Sequence, residues 1–211
     1  MRRSVIDKVL GVVTGGAYRA YAILILGCVV SGCAFSNVDV SLPKAPTTGY
    51  SGGQGRALVI PAFIDQRQDK NRIGMQKNGF GMDTASALPD QSVETWLTTR
   101  LGAELQSAGF QIVSDGANPK AAKVQGHVLK LFVEPVQQWS TVDLETDLSV
   151  RVRVTRSDGL EAERLYFVKG VGQGLMSLGG AYSASVSNAT DTLMKRMVAD
   201  IINLLNRSAD K

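Results

Sequence analysis

The sequence predicts an α+β fold for residues 57–207: an antiparallel-rich sheet of four to five strands with two helices packed on one face. Three observations predict it. Val142, Leu144, Leu148, Val150, Val152 and Val154 alternate with Asp143, Glu145, Asp147, Ser149, Arg151 and Arg153, the period of a strand with one wet face. Residues 90–108 and 182–207 space their apolar side chains three or four apart, the period of an amphipathic helix. The order of elements is strand, helix, short strand, three meandering strands, helix, which lacks the strand–helix alternation of a parallel doubly wound sheet.

Composition narrows the class. The chain has 211 residues, 44% hydrophobic and 20% charged, which excludes a disordered chain and a polytopic membrane protein. Aromatics make up 6%, so Val, Leu, Ile and Ala must build the core. The net charge of +4 invites a nucleic-acid partner, but the excess sits at the N-terminus. Residues 1–32 hold Arg2, Arg3, Lys8 and Arg19 against Asp7, so 23 basic and 19 acidic side chains become 19 and 18 without them. No nucleic-acid partner is expected.

The first segment reads as an address. A basic leader runs to Arg19, an apolar stretch follows to Val30, and Val30, Ser31, Gly32 and Cys33 close it. That last group resembles the bacterial lipobox, in which small residues fit the signal peptidase and the cysteine thiol takes a diacylglyceryl group. Residues 1–32 are expected to be removed as a signal peptide. A spanning helix needs about 20 apolar residues, and extending the run back to Val9 would bury Arg19. Cys28 lies in the removed part, so the mature chain keeps only Cys33, with no internal disulfide and no thiol nucleophile. Ala34 follows Cys33 where an aspartate would signal inner-membrane retention in enteric bacteria, so the outer membrane is the expected destination.

Residues 33–56 then form a lipidated, flexible tether rich in Pro, Gly, Ser and Thr, with a short edge strand over Val38–Leu42 as the competing reading. Ala57–Ile64 reads as a buried strand that Pro61 places at an edge or bulge. Residues 65–89 read as a long irregular stretch. Asp90 is expected to cap a helix whose stripe is Val93, Trp96, Leu97, Leu101 and Leu105 and which Gly109 stops. Phe110–Val113 is a short strand. Residues 121–134 form a strand whose apolar parity slips, requiring a bulge near Val128. Ser157, Asp158 and Gly159 turn the next strand into its partner, which ends near Val171 in a glycine-rich connection. The last helix carries Val186, Leu193, Met197, Ile201 and Leu204 inward.

Catalytic patterns fail one by one. His127 is the sole histidine and no HExxH frames it. The glycines around Leu175–Leu178 lack the Gly-Lys-Ser/Thr of a phosphate loop. Asp143, Glu145 and Asp147 share a strand face with Arg151 and Arg153, a solvated, charge-polarised surface with a lesser claim to docking a partner. No catalytic residue, metal or cofactor is expected. The most distinctive segment is Asp65, Arg67 and Asp69 at alternate positions, followed by Ile73, Met75, Phe80 and Met82 in a long loop. Either the charges lock the loop through local bonds, or Asp65, Arg67, Asp69, Ile73 and Phe80 bind a partner.

The lipobox, the stretch from Val59 to Asp69 ending in Asp65-Gln66-Arg67-Gln68-Asp69, and the helix, strands and final helix resemble the YajG-type bacterial lipoproteins over about residues 33–207. More distantly, the element order is similar to periplasmic auxiliary lipoproteins of ABC transport systems and to lipoproteins that activate cell-wall synthases. These likenesses imply an interaction role and bring no catalytic residue. The expected function is a non-enzymatic, lipid-anchored scaffold on the periplasmic face of the outer membrane, meeting another envelope protein or peptidoglycan. The alternative is an auxiliary subunit of an ABC-type lipid or solute transport system. The sequence leaves the oligomeric state open.

Overall fold

The computed structural model describes residues 36–45, 48–115, 118, 120–137, 142–173 and 178–206. The signal segment, Cys28, Cys33, Pro119 and residues 174–177 lie outside the described residues. In chain order the elements are β1 (Val38–Val40), β2 (Ala57–Val59), β3 (Ile64–Asp65), β4 (Gly74–Lys77), β5 (Asp83–Pro89), α1 (Val93–Ser107), β6 (Gln111–Ile112), β7 (Ala122–Gln137), β8 (Val142–Thr155), β9 (Glu161–Gln173) and α2 (Leu178–Asn206). The α+β class and the two helices are as expected. The sheet is not: it has nine described strands and is mixed.

The reason lies along β7. One edge of β7 pairs antiparallel with β8 from Lys123↔Thr155 to Gln137↔Val142, and β8 pairs antiparallel with β9. The other edge is shared by three short pieces running parallel to it: β2 at Ala122, β3 at His127 and β4 at Val133. One interrupted strand therefore occupies residues 57–77. Beyond it, β5 returns antiparallel to β4, β1 runs parallel to β5, and β6 runs parallel to β2. The region 65–89, expected to be irregular, thus contains a hairpin.

The long strands follow their sequence period. Leu144, Leu148, Val150, Val152 and Val154 are buried, and the alternate residues of β8 face out. The slip in β7 is a bulge between Val128 and Lys130, with Leu129 as the extra residue; it lets Ala122, Val124 and Val128 share the core with Leu131 and Val133. In α1, the stripe from Val93 to Leu105 is buried, each large aliphatic residue contributing about 1.5–3 kcal/mol. Gly109 at φ +93° ends the helix. Its N–H donates to Gln106 O, and the Phe110 N–H donates to Leu105 O, the paired bonds of a Schellman stop. Asp90 does not cap α1, which has Ser92 at its N-cap; its carboxylate accepts the Leu42 N–H at 3.2 Å and so fixes the chain leaving β1.

Helix α2 lies directly on β9. A Cβ on Gly170 would stand 2.2 Å from Ser185 O, and one on Gly172 would stand 2.3 Å from Ala181 O. These glycines, read from sequence as part of a loose connection, are strand residues where a helix backbone presses against the sheet. Thr146 Oγ1 and Ser185 Oγ are 2.6 Å apart in this buried contact, and Ser185 Oγ also donates to Gly170 O. The Tyr182 hydroxyl donates to Met75 O at 2.7 Å, joining α2 to β4. Burial pushes that phenol up to about 12.

Residues 48–56 are held as well. Gly53 N–H donates to Ala108 O, and Arg56 reaches Leu205 O at 2.6 Å while lying over the Phe110 ring.

Candidate functional site

Asp65 leaves the sheet at the end of β3, and Arg67 turns back onto it. Arg67 Nε donates to Asp65 Oδ1 at 3.0 Å and Nη2 donates to Asp65 Oδ2 at 2.9 Å, a fork-on-carboxylate pair. Nη1 donates to Arg72 O and Nη2 also donates to Lys70 O, both at 3.1 Å. Arg67 is 6% exposed. Its charge is spent on closing the loop from Gln66 to Arg72. Burial alone would raise the Asp65 carboxyl, but the hydrogen bonds and charge of Arg67 outweigh it and hold the group below the ordinary aspartate value. Asp69 makes a smaller copy of the device, accepting from Asn71 N–H at 3.0 Å and from Arg72 Nε at 2.6 Å.

This loop walls a groove of about 1050 Å³ against Leu129–Phe132, the bulged part of β7. Its loop side is polar from Arg67 to Arg72. Its β7 side offers Leu129, Leu131 and Phe132. Ile73 is fully buried, so a partner docking on this loop touches its neighbours and not its side chain. Phe80 is the opposite case, 90% exposed at the tip of the β4–β5 hairpin.

The sheet face away from the core is the second feature. Here cross-strand pairing sets Arg151 beside Leu165, Ser149 beside Phe167, Asp147 beside Lys169 and Glu145 beside Val171. Leu165 is 63% exposed, Phe167 52% and Val171 45%. Of the acidic and basic residues singled out from sequence, Asp147 pairs with Lys130, Glu145 with Lys169, and Arg153 with Glu163 at 2.9 Å, while Asp143 Oδ1 is buried without a hydrogen bond. His127 lies in register between Ile64 and Arg151, and its Nδ1 is buried without a hydrogen bond. Among the described residues no three His, Cys, Asp or Glu side chains converge as metal ligands.

One cluster escaped sequence reading. Arg100 and Glu104 are almost wholly buried on α1. Arg100 Nη2 lies 2.9 Å from Glu104 Oε1 and 3.1 Å from Asp191 Oδ1 on α2. Glu104 Oε2 accepts from the Thr48 hydroxyl at 2.6 Å. The network joins both helices to the N-terminal segment. The signal was present, because positions 100 and 104 continue the buried stripe beside Leu101 and Leu105.

A family described as "Uncharacterized lipoprotein" matches residues 43–203. The chain belongs to this family. The resemblance drawn from Cys33 and the Asp65–Asp69 motif is thereby borne out at the level of the family, and membership implies lipid anchoring in the bacterial envelope. Among solved structures, protein XCC0632 from Xanthomonas campestris has a similar fold, with TM-score 0.56, 12% identity, and coverage of 79% of this chain and 95% of that one. Lipoprotein GNA1162 from Neisseria meningitidis matches at TM-score 0.37 and 12% identity, covering 71% of this chain and 96% of its own. A minor lipoprotein from Acinetobacter baumannii matches at TM-score 0.36 and 12% identity, covering 72% and 90%. No curated protein matches the chain.

Proposed function

We propose that this chain is a lipid-anchored envelope protein that acts by contact and not by catalysis, tethered through Cys33 to the periplasmic face of the outer membrane. Its partner is another envelope protein. The observation that carries this reading is the row Leu165, Phe167 and Val171 on the uncovered sheet face. Large apolar side chains aligned on one open face, flanked by Arg151, Arg153, Glu163 and Lys169, have the anatomy of a protein interface: an apolar centre and a charged rim. The family supports the anchor. Ala34 after Cys33 supports the outer membrane. The loop contributes a second, smaller contact, in which Asp69 reaches solvent while Asp65, Arg67 and Ile73 hold the backbone that presents it.

A photo-crosslinking amino acid at Phe167 tests the reading in living cells. An adduct with an envelope protein is expected from position 167 and not from Asp158, in the turn at one end of the sheet. Leu165→Glu combined with Phe167→Glu is expected to abolish it while the thermal midpoint stays within a few degrees. No adduct from the open face, or an adduct with peptidoglycan alone, refutes the proposed partner.

A further inference from the structure

The β4–β5 hairpin ends in Asn78, Gly79, Phe80, Gly81 and Met82, five residues without a charge. Phe80 is 90% exposed and Met82 58%. Their exposure is built in. The Asn78 side chain accepts from the N–H groups of both Phe80 and Met82 at 3.0 Å, the Asn78 N–H donates to Met82 O, and Gly81 N–H donates to Asn78 O. Gly81 at φ +78° supplies the left-handed residue that the turn requires. A phenyl ring held out by four hydrogen bonds within its turn loses little freedom when something covers it.

Chain direction says what does. Strand β1 runs parallel to β5 in the register Val38↔Ala87 and Val40↔Pro89, so the line of β1, followed back from Val38, points towards the start of β5 and the hairpin tip. The bond from Ser86 N–H to Asn37 Oδ1 at 2.9 Å carries that direction one residue further. Cys33 precedes Val38 by five residues, a reach of at most about 18 Å. Met82 precedes Ala87 by the same five residues, about 17 Å of strand. Five residues of chain are therefore long enough to bring Cys33 level with the tip. Val142, 49% exposed opposite Gln137, lies at the same end of the sheet as this tip, while the β8–β9 turn lies at the other.

We propose that Phe80 and Met82 insert into the interface of the bilayer that carries the acyl chains of Cys33, giving the anchored domain a second contact and a fixed orientation. This rests on the anchor reading above. Acyl chains alone leave the domain free to swivel; a buried phenyl and thioether add at least about a tenfold preference for the tip-down pose.

The test uses the full mature chain, purified with its own N-terminal modification and reconstituted in phosphatidylethanolamine–phosphatidylglycerol liposomes. Gly79→Cys, where a Cβ meets nothing within 4 Å, carries an environment-sensitive nitrobenzoxadiazole dye, and Asp158→Cys at the far turn serves as control. Dye at position 79 is expected to be quenched by interfacial doxyl lipids and shielded from aqueous iodide, with the reverse at 158. Phe80→Asp is expected to lower the lipid quenching at 79, with the ratio of inserted to withdrawn tip that it reports falling at least about tenfold. Mass spectrometry of the N-terminal peptide reads the anchor separately. An acylated Cys33 with position 79 in water overturns this inference alone. An unacylated Cys33 overturns the anchor and this inference together. Shielding that appears only when a second envelope protein is added also overturns it.

Discussion

Replacing Gly170 by alanine sets a methyl group against the backbone of α2. The new Cβ would stand 2.2 Å from Ser185 O, 2.4 Å from Ala189 N and 2.9 Å from the Ala189 Cα. Ordinary contact begins near 3.4 Å, so the helix must retreat by about 1 Å at this turn. These are backbone atoms, which no rotamer change relieves. Overpacking of this kind costs about 1–3 kcal/mol. The retreat also breaks the buried bonds from Ser185 to Thr146 and to Gly170 O, and an unsatisfied buried hydroxyl costs about 1–3 kcal/mol more. The expected loss is about 3–5 kcal/mol, or on the order of 10 °C in thermal midpoint for a domain of this size.

Urea unfolding followed by circular dichroism reads the loss directly, provided that the m-value is unchanged. Gly102→Ala is the matched control. It lies inside α1 with nothing within 4 Å of a new Cβ, and it is expected to stabilise by about 0.5–1 kcal/mol through helix propensity. A Gly170→Ala protein within about 1 kcal/mol of the wild type would refute the direct seating of α2 on β9, because overpacking at that position has no other outlet.

Two further predictions concern charge. Arg100→Ala strips the buried Glu104 and the partly exposed Asp191 of their shared cation and is expected to cost about 3–5 kcal/mol, read as a lower urea midpoint with an unchanged m-value. Arg100→Met, which keeps the volume and removes only the charge, is expected to cost as much, since the carboxylate of Glu104 stays buried. Asp65 contributes to the pH dependence. Its folded carboxyl lies below the ordinary value, so its stabilisation is complete above the unfolded value, near pH 3.9, and is lost as pH falls through the folded one. Asp65→Asn is expected to flatten the acid limb of the stability curve below about pH 4. An acid limb identical to the wild type would remove Asp65 from the cause.

What the sequence showed and what it concealed divide by length and by locality. Strands β7, β8 and β9 run 13 residues or more, enough for alternation to declare itself, and the parity slip at Val128 even located the bulge. Helix α1 was legible from its stripe and from Gly109. Strands β2, β3 and β4 have two to four residues each, too short to carry a period of two, and their order along β7 is set by pairing with residues more than fifty positions away. Gly170 and Gly172 looked like loop because a glycine's tolerance of close backbone approach leaves no mark distinct from its tolerance of turns. In the candidate site, Asp65 and Arg67 were legible as a charge pair, and their mutual locking is what alternate spacing permits. Ile73 reads as loop because the first residue to re-enter a sheet looks, in sequence, like the last residue of a loop, and its side chain is fully buried.

The bulge and the loop are two sides of one event. Strand β3 holds β7 as far as Val128, where Gln66 N–H still donates to Val128 O. Strand β4 takes hold again at Val133, whose N–H donates to Ile73 O. Between these points the interrupted strand departs from β7, and β7 itself carries its extra residue, Leu129. A departing chain needs its own hydrogen bonds, because the sheet no longer supplies them. Arg67 answers that need: one side chain binds the carbonyls of Lys70 and Arg72 and the carboxylate of Asp65. The alternate Asp and Arg residues are thus explained by backbone accounting before any partner is invoked. The loop side chains that still reach solvent include Gln68, Asp69 and Lys70 at its rim.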